Sequence, residues 1–182
     1  MFKPSKKNIN FKPNSISLVN KEKIKLSINK VSNIGGMPQT NSQLRIITKS
    51  VINSFDILLS VFENSNKIED LTIVSYRIGK KVVIELNELQ KQNKIKNITI
   101  LISGGMRRLM PDVYNAVKSF ESEKFIIKEA ESHAKITLIK SNNNFYVIEG
   151  SGNMNTNAKI EQYIIDNDIL LYNFHKDWID KI

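Results

Sequence analysis

The chain has no cysteine and only two histidines, His133 and His175, among its 182 residues. Without thiols neither a disulfide framework nor a thiolate-bound metal is possible. A zinc site would have to take both imidazoles and fill its other positions with carboxylates, a poor donor inventory; neither a metal nor a cofactor is expected. No apolar run approaches the roughly 18 to 20 residues that span a bilayer. Residues 1–30 also lack the continuous apolar segment of a secretory signal. The expected setting is therefore the cytoplasm, away from membranes.

Apolar residues make up 41% of the chain and charged ones 25%, proportions ordinary for globular proteins. The length suits one domain with a real core. The net charge of +9 is unevenly spread: residues 1–30 hold eight lysines against Glu22, whereas the rest holds 19 basic and 17 acidic residues. Residues 1–15, with two prolines and little periodicity, read as a flexible basic arm, and 16–182 as the single domain. Lys3, Lys6 and Lys7 in that arm are candidate contacts for a polyanion such as DNA or RNA. The plainer alternative is a solvated tail.

"ISLV" and "KIKLSI" are expected as short strands. The spacing of Leu44, Ile47, Val51 and Phe55 predicts a helix from Ser42, followed by a buried strand in "DILLSVF". "LTIVSY", "IKNITILIS", "EKFIIKEA", "AKITLIK", "NFYVIE" and "KIEQYIID" read as strands. Helices are expected in "IGKKVVIELNELQKQNK", near 111–119, and in the closing "DILLYNFHKDWIDKI". The sum is an α/β protein with a mixed sheet flanked by helices.

One stretch carries chemistry. On a strand, His133, Lys135 and Thr137 share a face while Ala134, Ile136 and Leu138 face the core. After an Asn-rich turn and a further strand comes Gly150-Ser151-Gly152-Asn153, whose glycines admit close backbone approach and whose Ser and Asn side chains can donate hydrogen bonds. Imidazole, ammonium and several donors together suit a phosphate.

In this order the residues resemble the phospholipase D superfamily, whose motif is His-x-Lys, four residues, Asp, then Gly-Ser-x-Asn. The matches are His133, Lys135, Gly150, Ser151 and Asn153, with Glu161 in the place of the family's carboxylate that buttresses the histidine, and a closing helix with a late tryptophan. The likeness covers about 50 residues; upstream only the order of elements agrees. Lys140 stands where the family has Asp, and His175-Lys176-Asp177 lacks the family spacing, so His175 is expected at the surface or partly packed. The resemblance implies metal-independent phosphodiester exchange: one histidine attacks phosphorus, forming a phosphohistidine, and a second serves as acid and then base. A chain with one motif implies a homodimer with two copies of His133 meeting across the two-fold axis. Lys135, Gly150, Ser151 and Asn153 would hold the phosphate. The expected activity is that of a phosphodiesterase, a nuclease acting on DNA. The alternative is a catalytically degenerate module that binds nucleic acid or serves assembly, with Lys140 marking decay of the motif.

Arg107 and Arg108 in "GGMRR" are further candidates for phosphate contact, or simply solvated loop cations. Tyr76 and Arg77 end a strand and are candidates to line the same cleft, although Tyr76 is expected in the core, as are Phe145, Tyr146, Tyr163, Tyr172 and Trp178. Glu69, Asp70, Asp166 and Asp168 form no defensible two-metal pattern.

Overall fold

A computed structural model describes residues 13–155 and 159–182, with side chains from residue 21 onward. The candidate contacts Lys3, Lys6 and Lys7 lie outside the described residues.

The centre of the molecule is a buried βαβ unit. Strand β2 (Ile68–Ser75) runs parallel to β3 (Ile95–Ser103), and helix α3 (Lys80–Lys91) joins them. α3 places Val82, Val83, Leu86 and Leu89 on its buried side, the 3.6-residue period of an amphipathic helix. A short helix α4 (Met106–Leu109) and α5 (Pro111–Lys118) lead from β3 to its second parallel neighbour, β4 (Phe125–Ala130). β5 (Ile136–Ser141) returns antiparallel beside β2, and β6 (Asn144–Gly150) and β7 (Ile160–Asn167) continue as a meander. The first strand, β1 (Gln43–Lys49), pairs with β7 at the edge. The seven strands lie in the order β1-β7-β6-β5-β2-β3-β4.

Both faces of this sheet are covered. On one, the larger core includes Ile24 and Val31 from α1 (Pro13–Ser32), Ile57 and Leu58 from α2 (Ser54–Ser60), and Leu86 from α3. On the other, α6 (Ile169–Asp180) lays Tyr172 and Ile179 over Val74, Leu101, Leu138 and Val147. Each fully buried Ile or Leu contributes about 1.5 to 3 kcal/mol relative to exposure.

The N-terminal third departs from the sequence reading. "ISLV" and "KIKLSI" lie in α1 rather than in strands: Ile24, Ser27 and Val31 are buried at helical spacing. Lys30 and Ser27 also hold the buried carboxylate of Asp56 at 3.3 and 2.8 Å. The helix expected from Ser42 is strand β1. Leu44, Ile46 and Thr48 face inward while Ile47 remains 81% exposed, so the apparent helical spacing was coincidental and pairing with β7 decides. "DILLSVF" begins in α2, all seven of whose residues are buried, and continues into a 3-10 turn at Val61–Glu63. Burial on every side erases periodicity, but a capping box remains: Asn53 accepts from the Phe55 and Asp56 backbone, and Asp56 accepts from the Asn53 backbone.

His175 is also corrected. It is buried on the inner side of α6, accepting at Nδ1 from Trp178 Nε1 at 3.2 Å, with Nε2 3.5 Å from Glu149. Tyr146, Tyr163 and Tyr172 are buried and Phe145 and Trp178 partly so, as expected. The acids weighed as metal ligands have structural partners: Asp168 caps α6, Asp166 accepts from Gln43, Asp70 accepts from Tyr172, and Glu69 pairs with Lys140.

Candidate active site

Strand register fixes which loops meet. Val74 lies opposite Ile136, Ile136 opposite Glu149, Gly150 opposite Tyr163, and Ile160 opposite Lys49. One end of the sheet therefore gathers the carboxyl ends of β2, β3 and β4, the start of β5, the end of β6 and the start of β7. Ligands of open α/β sheets bind at that end, and both halves of the motif are there.

His133 does not lie on a strand. β4 and β5 are three strand spacings apart in the sheet, about 14 Å. Residues 131–135 bridge them across the ends of β3 and β2, a span that six residue steps, about 20 Å when extended, cover with some slack. It passes Gly104, where a Cβ would come within 2.7 Å of Glu131 Oε1, and then Tyr76. There the His133 imidazole stacks on the phenol ring, with centroids 4.3 Å apart and planes 21° from parallel. His133 is exposed. Lys135 is half-buried and donates to the His133 carbonyl at 2.6 Å, so at rest it braces the segment's backbone. The expected alternation holds further along: Ile136 and Leu138 pack beneath α6 with Ala134 against them, while Lys135 and Thr137 face the other side.

Gly150-Ser151-Gly152-Asn153 leaves the end of β6. Its glycines are explained by packing: a Cβ on either would collide with Tyr163, and one on Gly150 also with the Gln162 carbonyl. Burial raises the pKa of the Tyr163 phenol, partly offset by its hydrogen bond with Ser54. Ser151 Oγ donates to the Glu161 carboxylate and accepts from Gln162 N at 3.1 Å. Asn153 Oδ1 accepts from Arg77 N at 3.3 Å, which leaves its amide Nδ2 as the donating end. Met154 N donates to Ser75 Oγ at 3.1 Å, and Gly79 N to the Met154 carbonyl at 2.9 Å. Beneath these groups lies a cavity of about 10 Å³, lined by Lys135, Thr137, Gly150, Gly152, Ser54 and Tyr163 among others. That is the room of one water molecule. A phosphate does not fit inside it.

The structure thus brings His133, Lys135, Gly150, Ser151, Asn153 and Glu161 to one end of the sheet. Arg107 and Arg108 are at the same end, exposed on α4 rather than in an irregular loop, with Arg107 6.0 Å from the Tyr114 ring. Lys140 is elsewhere. Five residues beyond Lys135 along β5, about 16 Å, it makes an ion pair with Glu69 at 3.2 Å near the opposite sheet end. Tyr76 is half-buried against His133 rather than in the core, so of its two expected settings, cleft or core, the less favoured one holds; Arg77 is beside it, and the role of Ser75 went unread. The signal was only their position at the end of a strand.

The fold is phospholipase D-like, a mixed seven-stranded sheet between helices. A polyphosphate kinase from Porphyromonas gingivalis superposes with a TM-score of 0.57 at 11% identity, over 75% of this chain and 25% of that one. This chain thus spans about a quarter of that protein. Two other solved structures align with TM-scores below 0.5. They are TrmBL2, an archaeal chromatin protein (0.48, 11% identity, 92% of this chain and 61% of that one), and phosphatidylserine synthase from Haemophilus influenzae Rd KW20 (0.42, 10%, 74% and 37%). No family model and no curated sequence matches the chain.

Proposed function

We propose that the protein is a phosphodiesterase of the single-motif phospholipase D kind, a nuclease acting on DNA, with its reaction centre completed in a homodimer. The observation that carries this reading is the convergence of His133, Lys135 and the Gly150–Asn153 segment at one sheet end, with the imidazole open to solvent.

In this reading one His133 attacks phosphorus as the phosphodiester P–O bond breaks, giving a phosphohistidine, and His133 of the second subunit protonates the departing oxygen. That second imidazole then takes a proton from water, which attacks phosphorus and releases the first His133. An imidazole suits both tasks because its ordinary pKa lies near neutrality. Lys135 Nζ, swinging from the His133 carbonyl, and Asn153 Nδ2 supply positive charge and a hydrogen-bond donor to the phosphoryl oxygens. Ser151, committed to Glu161, stiffens the turn that carries Asn153. Arg107 and Arg108 on the same end, with Lys3, Lys6 and Lys7 in the arm, supply cations for a polynucleotide backbone.

A second reading is a non-catalytic nucleic-acid-binding or assembly module. It draws on the glycines, whose need is met by Tyr163 packing without any ligand. Lys140 does not favour it, because that position lies far from the proposed chemistry. His133→Ala separates the two readings. It should abolish hydrolysis of a generic phosphodiester, by at least about a thousandfold if His133 is both nucleophile and proton carrier, while dimer formation and DNA binding persist. A wild type that binds DNA without cleaving it supports the module.

A further inference from the structure

The three residues Ser75-Tyr76-Arg77 belong to neither half of the motif, yet they hold both. Ser75 Oγ accepts from Met154 N and donates to the Arg77 carbonyl at 2.6 Å. Arg77 N donates to Asn153, and the Arg77 guanidinium lies 5.6 Å from the Tyr76 ring centroid. Tyr76 carries the imidazole of His133 on its face. An exposed histidine on an irregular segment would otherwise sample several rotamers, and ordering it costs free energy at the moment of reaction. A flat ring at 4.3 Å and 21° removes that freedom, since offset-stacked rings favour a narrow range of orientations.

We propose that Tyr76 is the positioning residue of the site: by stacking on His133 it fixes the plane of the imidazole, while Arg77 fixes the amide of Asn153 from the same turn. The proposal deepens the phosphodiesterase reading and rests on it. It places the third component of the site at the carboxyl end of β2 and the two residues that follow it, a stretch that contributes nothing to the motif. The stack needs the ring and not the phenol hydroxyl, so phenylalanine should replace tyrosine and leucine should not.

The test uses the full chain, with Tyr76→Phe and Tyr76→Leu, and two readouts. The first is the NMR position of the His133 ring protons, assigned by their loss in His133→Ala; they should be shifted upfield by the neighbouring ring in wild type and Tyr76→Phe, and return downfield in Tyr76→Leu. The second is turnover of bis-p-nitrophenyl phosphate: Tyr76→Leu should lower kcat by about ten- to a hundredfold with KM little changed, and Tyr76→Phe should stay near wild type. Ring protons that do not move in Tyr76→Leu, or a Tyr76→Leu kcat equal to wild type, overturn the proposal and leave the phosphodiesterase reading standing. A wild type with shifted ring protons and no turnover overturns that reading, and with it the catalytic role of the stack.

Discussion

Tyr163 shows how much a single side chain decides here. Its ring fills the space that Cβ atoms at Gly150 and Gly152 would need, and its hydrogen bond with Ser54 ties β7 to α2. Gly152→Ala should therefore destabilise the fold by about 1 to 3 kcal/mol, the usual cost of overpacking, as read by urea denaturation. Tyr163→Phe in the same chain should recover part of the loss, because the nearest atom to the added methyl is the phenol oxygen. At this scale the sequence was informative about which residues gather and less so about why. The order of His-x-Lys and Gly-Ser-x-Asn, through its resemblance to a known motif, brings His133, Lys135, Ser151 and Asn153 into view. The use of the two glycines for a tyrosine, the commitment of Ser151 to Glu161, and the stack on Tyr76 depend on contacts between strands distant in the chain. No periodicity reports such contacts.

Elements differ in legibility for physical reasons. β2, α3 and β3 could be read because an amphipathic helix between two apolar runs has distinct periods. β5 to β7 could be read because an Asn turn, with Asn142 at φ 53°, separates alternating segments. α2 could not, being buried all round, and β1 imitated a helix through Ile47, a residue the fold leaves in solvent. The true start signal of α2 is the Asn53–Asp56 capping box. Asn53→Ala should lower stability by about 1 kcal/mol, measured by chemical denaturation. The segment of residues 131–135 is a further stretch that the sequence misassigned, as it did α1. Its strand-like alternation is real, but it spans the ends of β3 and β2 without joining the ladder, and its histidine is exposed with one face on Tyr76.

For the whole molecule, α6 locks the second core through Tyr172, whose hydroxyl donates to Asp70 at 3.0 Å. Burial first, and then the Asp70 charge, push the Tyr172 phenol far above its ordinary range. A raised folded-state value means that the unfolded chain loses this proton first. The stabilisation is complete below the ordinary tyrosine pKa of about 10 and declines as pH rises above it. Thermal melts should show an alkaline loss of stability that Tyr172→Phe flattens, at a cost of about 1 kcal/mol near neutral pH for the hydrogen bond removed. Tyr146 and Tyr163, also raised by burial, should leave a residual alkaline slope.

The same scale decides the function, because one chain supplies one exposed imidazole to the site and the proposed reaction uses two. The absence of cysteine from the sequence allows a direct test with a short bis-maleimide on two single-cysteine variants, His133→Cys at the site and Asn142→Cys at the opposite end of the sheet. The account predicts a covalent dimer from His133→Cys at protein concentrations where Asn142→Cys stays monomeric on a denaturing gel. Crosslinking through residue 142 in preference to 133, or a chain that sediments as a monomer at every concentration, would contradict it.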